Sequence, residues 1–595
     1  MQPDLDPVEP AAVEFEGATP VAPAFSDAYF SRDGGAAESR AVFVDGNRLA
    51  ERFAQLRAGD LFTIGETGFG TGLNVLQAAV LFGERAPRGA RLTLVSAEKH
   101  PLTGEALARS LSAWPELVAP AGALQAGYPP PVPGFHRIAL GEAVELVLML
   151  GDASEMWRRQ PAAVDAWFLD GFAPDRNPAM WQPALFELLA ARSRPGATLA
   201  TFTVAGAVRR GLEAAGFSVS RLPGHARKRH RLVGRRPGDW KPARYRTGDA
   251  LVVGAGLAGA TTARALAERG WRVRVTDPAG IAAGASGNRI GVAYTTPSGR
   301  ATPQNRFYQA SYLRALQWLE RLRAEADGIA ALHGVEQLAV DERQRRKLED
   351  AQAGGHWPAT LLERLDDDRV LLHHGGTVRP RHWCRQLLDH PAIEFRAERF
   401  EAPPPTAAAA DVVIISVGSA AQTLAPLAQL PLKTIRGQVT ECSATGPSSR
   451  WRRPVCHTGY LTPAVDGVHL IGATFDPGDR DPEPRDGDDA ANVDQLRRQL
   501  PGEWRALGGD ALRVVGRRVG FRCQAIDFLP LAGEAGAGTR LLVNLAHGSR
   551  GITGTPLTAE LIADRLSGLP PAVDSAIVDA LDPGRFARRA NRRRR

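Results

Sequence analysis

Two glycine-rich turns, each leaving an apolar strand and entering a helix, constrain this chain more than anything else in it. The first reads Leu61-Phe-Thr-Ile-Gly65-Glu66-Thr-Gly68-Phe-Gly70-Thr-Gly72-Leu-Asn74, and the second Ala250-Leu-Val-Val-Gly254-Ala-Gly256-Leu-Ala-Gly259. Glycines at such a turn let backbone amides approach a ligand closely and aim a helix N-terminus at it. Each turn therefore predicts a binding site at the carboxyl edge of a parallel sheet. Their spacings differ, so the chain is two different nucleotide-binding units joined end to end, not one unit repeated. A length of 595 residues allows this, since single cores rarely grow past about 300 residues.

Composition narrows the class. Hydrophobic residues make up 44% and charged residues 23%, which excludes a disordered chain. No apolar run is long enough to cross a bilayer, and Met1-Gln-Pro-Asp-Leu-Asp lacks the basic and apolar regions of a secretory signal. A cytoplasmic protein with no membrane partner is expected. Cys384, Cys442, Cys456 and Cys523 lie far apart without a C-x-x-C pair, so neither a disulfide framework nor a metal site is expected.

The net charge of +8 is unevenly placed. Arg227, Lys228, Arg229 and Arg231 crowd one short stretch, and the chain closes on Arg588-Arg589-Ala-Asn-Arg592-Arg-Arg-Arg595. Clustered basic charge is the footprint of a phosphate-rich partner. A solvated interdomain stretch and a free arginine tail give the same pattern, and charge alone leaves both open.

Hydrophobic periodicity organises the rest as α/β. Strands are expected at Leu61–Ile64, Arg91–Ala97, Glu145–Leu150, Ala166–Leu169 and Ala197–Phe202, alternating with helices from Leu73, after Thr103 and over Pro183–Arg192. That is a doubly wound parallel sheet closed by a hairpin at Phe217–Leu222 and Arg231–Gly234. Residues 1 to about 57 read as irregular until a short helical stretch. Residues 1–236 form the first domain and 237–248, without periodicity, a linker. The second domain, 249–580, opens at Leu251–Val253 and Arg272–Thr276 and resumes only at Asp411-Val-Val-Ile-Ile. A substrate domain containing the amphipathic helix Asn305–Ala326 is inserted between. Residues 581–595 are left as a basic tail.

In the first domain, Gly68, Gly70 and Gly72 predict the turn that Rossmann methyltransferases place around S-adenosyl-L-methionine. Glu66 and Asn74 flank it. Glu98 ends the second strand, where an acid takes ribose hydroxyls, and Asp152 ends the third, near the adenine. Asp170 and Phe172 follow the fourth strand on the reaction edge. A carboxylate and an aromatic ring there suit an amine that must lose a proton before it can be methylated. A helix cap is the plainer role for Asp170.

In the second domain, Gly254, Gly256 and Gly259 with Asp277 make a dinucleotide fingerprint. The small residues around Ser286, Gly287 and Asn288, and the late turn Gly548-Ser549-Arg550-Gly551, favour FAD over NAD. Arg436 and Arg522 suit a substrate carboxylate, although surface arginines are common. His457 and His547 are either acid–base groups or ordinary buried histidines.

The chain resembles, over nearly its whole length, the bifunctional family that completes 5-methylaminomethyl-2-thiouridine at the tRNA wobble position. The resemblance rests on Asp27-Ala-Tyr-Phe30-Ser, Gly65–Asn74, Leu169-Asp-Gly-Phe-Ala-Pro174 with Asn177-Pro178, Ala285-Ser-Gly-Asn288, and His547-Gly-Ser-Arg-Gly551. Asp277 departs from the glutamate of many flavoproteins. The resemblance implies an FAD-dependent unit, similar to glycine and D-amino-acid oxidases, that oxidises the carboxymethylaminomethyl group to aminomethyl by hydride transfer and imine hydrolysis. It implies that the N-terminal unit then methylates the amine. It also implies tRNA as partner, with Arg227, Lys228 and Arg229, the rest of the stretch to Arg231 and the arginine tail on its phosphates; a monomer is expected. A fused N-methyltransferase and amine oxidase acting on small amino acids such as sarcosine is the alternative. A non-catalytic RNA-binding scaffold would need the glycines and acids above to be idle.

Overall fold

The central strand of the first unit, Asp60–Glu66, is buried at every position, as a strand covered on both faces must be. The computed structural model describes residues 4–31, 34–224, 230–326, 328–400, 410–536 and 540–594. It divides into Met1–Arg246 with Ser567–Ala576, and Thr247–Leu566 with Ile577–Arg595.

Among the described residues, the main sheet of the first unit runs Ser218–Pro223, His230–Arg235, Ser193–Thr201, Val164–Phe168, Asp60–Glu66, Arg91–Glu98, Val144–Leu150, Gly134–Ala139. The run from Ser193–Thr201 to Val144–Leu150 is parallel, and both edges are antiparallel. Strand order reverses beside Asp60–Glu66, because Arg91–Glu98 pairs on one side and Val164–Phe168 on the other. The first glycine turn thus opens at the switch point, where the flanking loops part and leave a crevice.

Three features depart from the expected outline. The N-terminal stretch read as irregular contains a small antiparallel sheet of Glu14–Glu16, Thr19–Ala22 and Asp27–Ala28. The edge strand Gly134–Ala139 pairs with Val144–Leu150 and was not anticipated. The stretch expected as a linker is packed: Trp240 donates from Nε1 to Asp165 Oδ1 at 2.8 Å, and Ala243–Arg244 pairs with the start of the central strand. Residues 567–576, placed by sequence in the second domain, belong to the first unit, with Leu569 buried against Leu61 and Tyr245.

The sheet of the second unit runs Ile393–Arg396, Arg272–Thr276, Asp249–Val253, Val412–Ile415, Leu541–Leu545, Leu531–Glu534, parallel except for the last pair. Gly259 lets the helix Leu257–Ala267 lie against the first strand, since a Cβ there would stand 1.8 Å from Gly254 O. The inserted part contributes the helix Pro303–Glu325, capped by Thr302, and the long antiparallel pair Leu432–Ser443 and Val514–Ala525. Residues Arg585–Arg594 form a helix whose first arginine is buried on the Asp527 carboxylate at 2.8 Å.

Candidate active sites

In the first unit the glycine turn opens onto a cavity of about 500 Å³. Gly70 and Gly72 hold φ of +56° and +76°, a region that side chains disfavour. A Cβ on Gly68 would come within 2.9 Å of Asp170 O. Glu98 sits on the cavity wall and accepts from Gly70 N and His100 N, each at 2.8 Å. Burial pushes its carboxyl above the ordinary range, and those amides oppose the shift. Asp152 reaches the same wall while capping the helix Ala153–Arg159 through Ser154 N and Glu155 N.

Asp170 and Phe172 stand on the wall beside this turn. Both Asp170 oxygens are held: Oδ1 accepts from Gly171 N at 2.8 Å, and Oδ2 from Asn74 Nδ2 at 2.7 Å. Phe172 stacks on Phe25 at 4.4 Å and meets Tyr29 edge-on at 5.3 Å. Phe25 and Tyr29 received no site role from sequence. Phe25 carried only the signal of an aromatic cluster in a stretch without periodicity, whereas Tyr29 lies in the Asp27–Ser31 stretch that carries the family resemblance.

In the second unit Gly254 holds φ of +105°, and a Cβ there would meet Ser416 O at 2.5 Å. Ser286 Oγ accepts from Leu257 N at 3.0 Å, at the helix start. A Cβ on Gly256 would come within 3.1 Å of that oxygen and fill the cradle. Asp277 closes the second strand, accepting from Ala255 N at 2.9 Å and Ala279 N at 3.0 Å. The loop after it is pinned by Arg518, which donates to Asn288 Oδ1 at 2.9 Å and to Ala283 O and Gly284 O. Gly287 is bare where a Cβ would strike Arg518. Arg518 was missed because it lies far along the chain.

The late turn holds Gly548 at φ +56°, with exposed Ser549 beside it and Gly551 opening the helix Gly551–Ser567. Arg550 lies 4.2 Å over the Tyr308 ring and donates to Thr296 Oγ1 at 3.3 Å. His547 contacts Asn544 Oδ1 at 2.8 Å, and burial drives its pKa down to about 3. It is a half-buried, neutral histidine. The bare cradle at Gly256, the amide at Leu257 and the acid at Asp277 fit FAD. The roomy cavity, glycine turn and Glu98 fit S-adenosyl-L-methionine.

Comparison with known proteins agrees with this division. Residues 115–237 match the family of S-adenosyl-L-methionine-dependent methyltransferases, and residues 249–565 that of FAD dependent oxidoreductases. The tRNA 5-methylaminomethyl-2-thiouridine biosynthesis bifunctional protein MnmC of Chromobacterium violaceum is 41% identical, covering 97% of this chain and 97% of its own. Its counterpart in Pseudomonas aeruginosa strain PAO1 is 41% identical, covering 96% of each. This chain belongs to the MnmC family. Among solved structures, glycine oxidase from Geobacillus kaustophilus aligns with 55% of this chain and 96% of its own, at 23% identity and a TM-score of 0.47.

FAD and S-adenosyl-L-methionine are the cofactors of this MnmC family member. Two expected ligands need correction. Glu66 is absent from the cavity wall: it lies buried behind it, accepting from Asn74 Nδ2 at 2.9 Å and Ser96 Oγ at 2.6 Å. Burial, aided by the Asp170 and Glu98 charges, pushes its carboxyl up to about 8. Arg436 is fully buried and supports the 479–488 segment, donating to Asp481 O at 2.8 Å, Glu483 O at 2.7 Å and Asp488 Oδ2 at 2.5 Å. Its guanidinium is spent on the fold and is not available to a substrate carboxylate.

Arg522 is placed differently. Gly437 leaves room for it, since a Cβ there would lie 2.3 Å from Nη1, which donates to Thr474 O at 3.1 Å. The Arg522 charge acts on Tyr460 and Tyr294, and the Arg550 charge acts on Tyr294 as well. Arg227, Lys228 and Arg229 lie outside the described residues. No helix among the described residues is long and apolar enough to cross a membrane.

Proposed function

We infer that this chain carries out two successive reactions on one nitrogen of a tRNA wobble uridine. The first removes the carboxymethyl group of 5-carboxymethylaminomethyl-2-thiouridine oxidatively, leaving the aminomethyl form. The second methylates that amine to 5-methylaminomethyl-2-thiouridine. Near full-length kinship with the MnmC family carries this reading, and each unit supplies one of the two pockets it requires.

In the oxidising unit, bound FAD supplies the two-electron acceptor for the methylene between nitrogen and carboxylate. Arg522 holds the substrate carboxylate as a fixed fork of donors. Tyr294 and Tyr460 lie within range of the guanidinium charge. Neutral His547 keeps the Gly548–Gly551 turn in place through Asn544. Water then hydrolyses the substrate imine, releasing the amine and a two-carbon oxoacid.

In the methylating unit, bound S-adenosyl-L-methionine supplies the methyl group, Glu98 holds its ribose and Asp152 its adenine end. An alkylamine is mostly protonated at neutral pH and unreactive in that form. Asp170, with both oxygens oriented by Asn74 and Gly171, takes the amine proton. The Phe25–Phe172 stack keeps water from the approach. Arg227, Lys228 and Arg229 hold tRNA phosphates, with an affinity that falls as salt rises. The chain acts as a monomer in the cytoplasm.

The test is nucleoside mass analysis of tRNA from a strain lacking the gene. The carboxymethylaminomethyl form should accumulate, and complementation with Asp170→Ala should shift the accumulation to the aminomethyl form. Unchanged tRNA in the deletion strain would sink the assignment.

A further inference from the structure

Phe475 is a large apolar side chain left 52% exposed beside the substrate arginine. Its ring centroid lies 5.8 Å from Arg522 Cζ. Arg522 is tied to the preceding residue through Thr474 O, so ring and guanidinium are held in register by adjacent backbone. Ile526 and Phe528 are exposed to a similar degree, but it is the Phe475 ring that Arg522 overlies. An exposed ring has apolar surface in water that a ligand can cover, and a flat π-face is what a nucleobase covers well.

Resting on the reading of Arg522 as the carboxylate ligand, we propose that Phe475 is the base-stacking platform of the oxidising site, taking the face of the 2-thiouracil while Arg522 takes the carboxylate. Substrate chemistry sets the required spacing. A methylene, the nitrogen and a second methylene separate the carboxyl carbon from C5 of the base. That path of four bonds spans about 5 Å when extended. The ring stands at a comparable distance from the guanidinium. A small N-alkylglycine fills only the arginine end of this arrangement, so the ring favours a nucleoside over a free amino acid.

The experiment uses the full chain loaded with FAD, and tRNA bearing the carboxymethylaminomethyl group. KM and kcat for oxidation are compared for wild type, Phe475→Leu and Phe475→Tyr. Leucine keeps the apolar bulk but loses the flat face, whereas tyrosine keeps both. Phe475→Leu should raise KM roughly ten-fold, within the range of one stacked base. Phe475→Tyr should stay near wild type, and the flavin absorbance of all three should match. A Phe475→Leu KM within two-fold of an active wild type overturns the stacking role alone. A wild-type enzyme that leaves this tRNA unoxidised overturns the functional reading, and the proposal falls with it.

Discussion

Asn74 donates from Nδ2 to Asp170 Oδ2 at 2.7 Å. The same nitrogen serves Glu66 Oε1 at 2.9 Å, and Ser39 Oγ donates to Asn74 Oδ1 at 2.5 Å. One amide thus bridges a buried carboxyl and a cavity carboxylate, and its orientation is fixed by all three partners. Asn74→Ala should lower methylation about ten- to hundred-fold, the scale of one hydrogen bond to a charged group. Flavin-dependent oxidation should be untouched. Asn74→Asp should do worse by setting a like charge against Asp170. Single-turnover methyl transfer measures both, and equal rates in wild type and Asn74→Ala would refute the bridge.

Glu66 gives a pH prediction with a definite sign. Its carboxyl stands at about 8 in the folded protein against an ordinary value of 4.5, so the folded state binds this proton more tightly. Its contribution to stability is complete below about 4.5 and is lost as pH rises toward 8. Asp165, raised to about 6 by burial, acts in the same direction. His136, lowered to about 4, acts oppositely. The difference between wild type and Glu66→Gln isolates the Glu66 share. Unfolding scans from pH 5 to 9 should show a shallower fall for Glu66→Gln, and parallel curves would contradict a neutral Glu66.

Glycines made both sites legible. Gly254 and Gly259 are needed where the backbone turns or nearly touches itself, a demand that only one residue type meets. Arginines were not legible in this way. Ile435 pairs with Arg522 and Arg436 with Phe521. Side chains alternate along a strand, so Arg436 and Arg522 lie on opposite faces of this ladder. One face packs beneath the 479–488 segment, and the other carries Arg522 beside Phe475. Register between strands so distant in sequence could not be read from composition or local pattern. Glu66 misled for a related reason: a residue inside a ligand-binding motif need not touch the ligand.

The two glycines of the second turn should fail differently. Gly256→Val places a branched side chain in the cradle at Ser286 Oγ, so the purified protein should fold but lose its yellow colour. Gly259→Ala sets a Cβ 1.8 Å from Gly254 O, a backbone atom with nowhere to go. That variant should lose the second unit altogether, seen as a lost unfolding transition. Retained FAD in Gly256→Val would show the cradle is misplaced.

The arginines supply the last prediction. Arg436→Met leaves half-buried Asp488 and two loop carbonyls without their buried donor. Breaking one side of a buried pair costs about 3–5 kcal/mol, so the melting temperature should fall markedly. KM of the surviving enzyme for the modified tRNA should change little. Arg522→Lys reverses the pattern. The melting temperature should hold, because among the described residues a single hydrogen bond, to Thr474 O, anchors this guanidinium, while KM should rise because an ammonium cannot offer the planar fork. Thermal unfolding and oxidation kinetics on the two variants decide the matter. An Arg436→Met that melts normally but binds tRNA poorly would return Arg436 to the substrate.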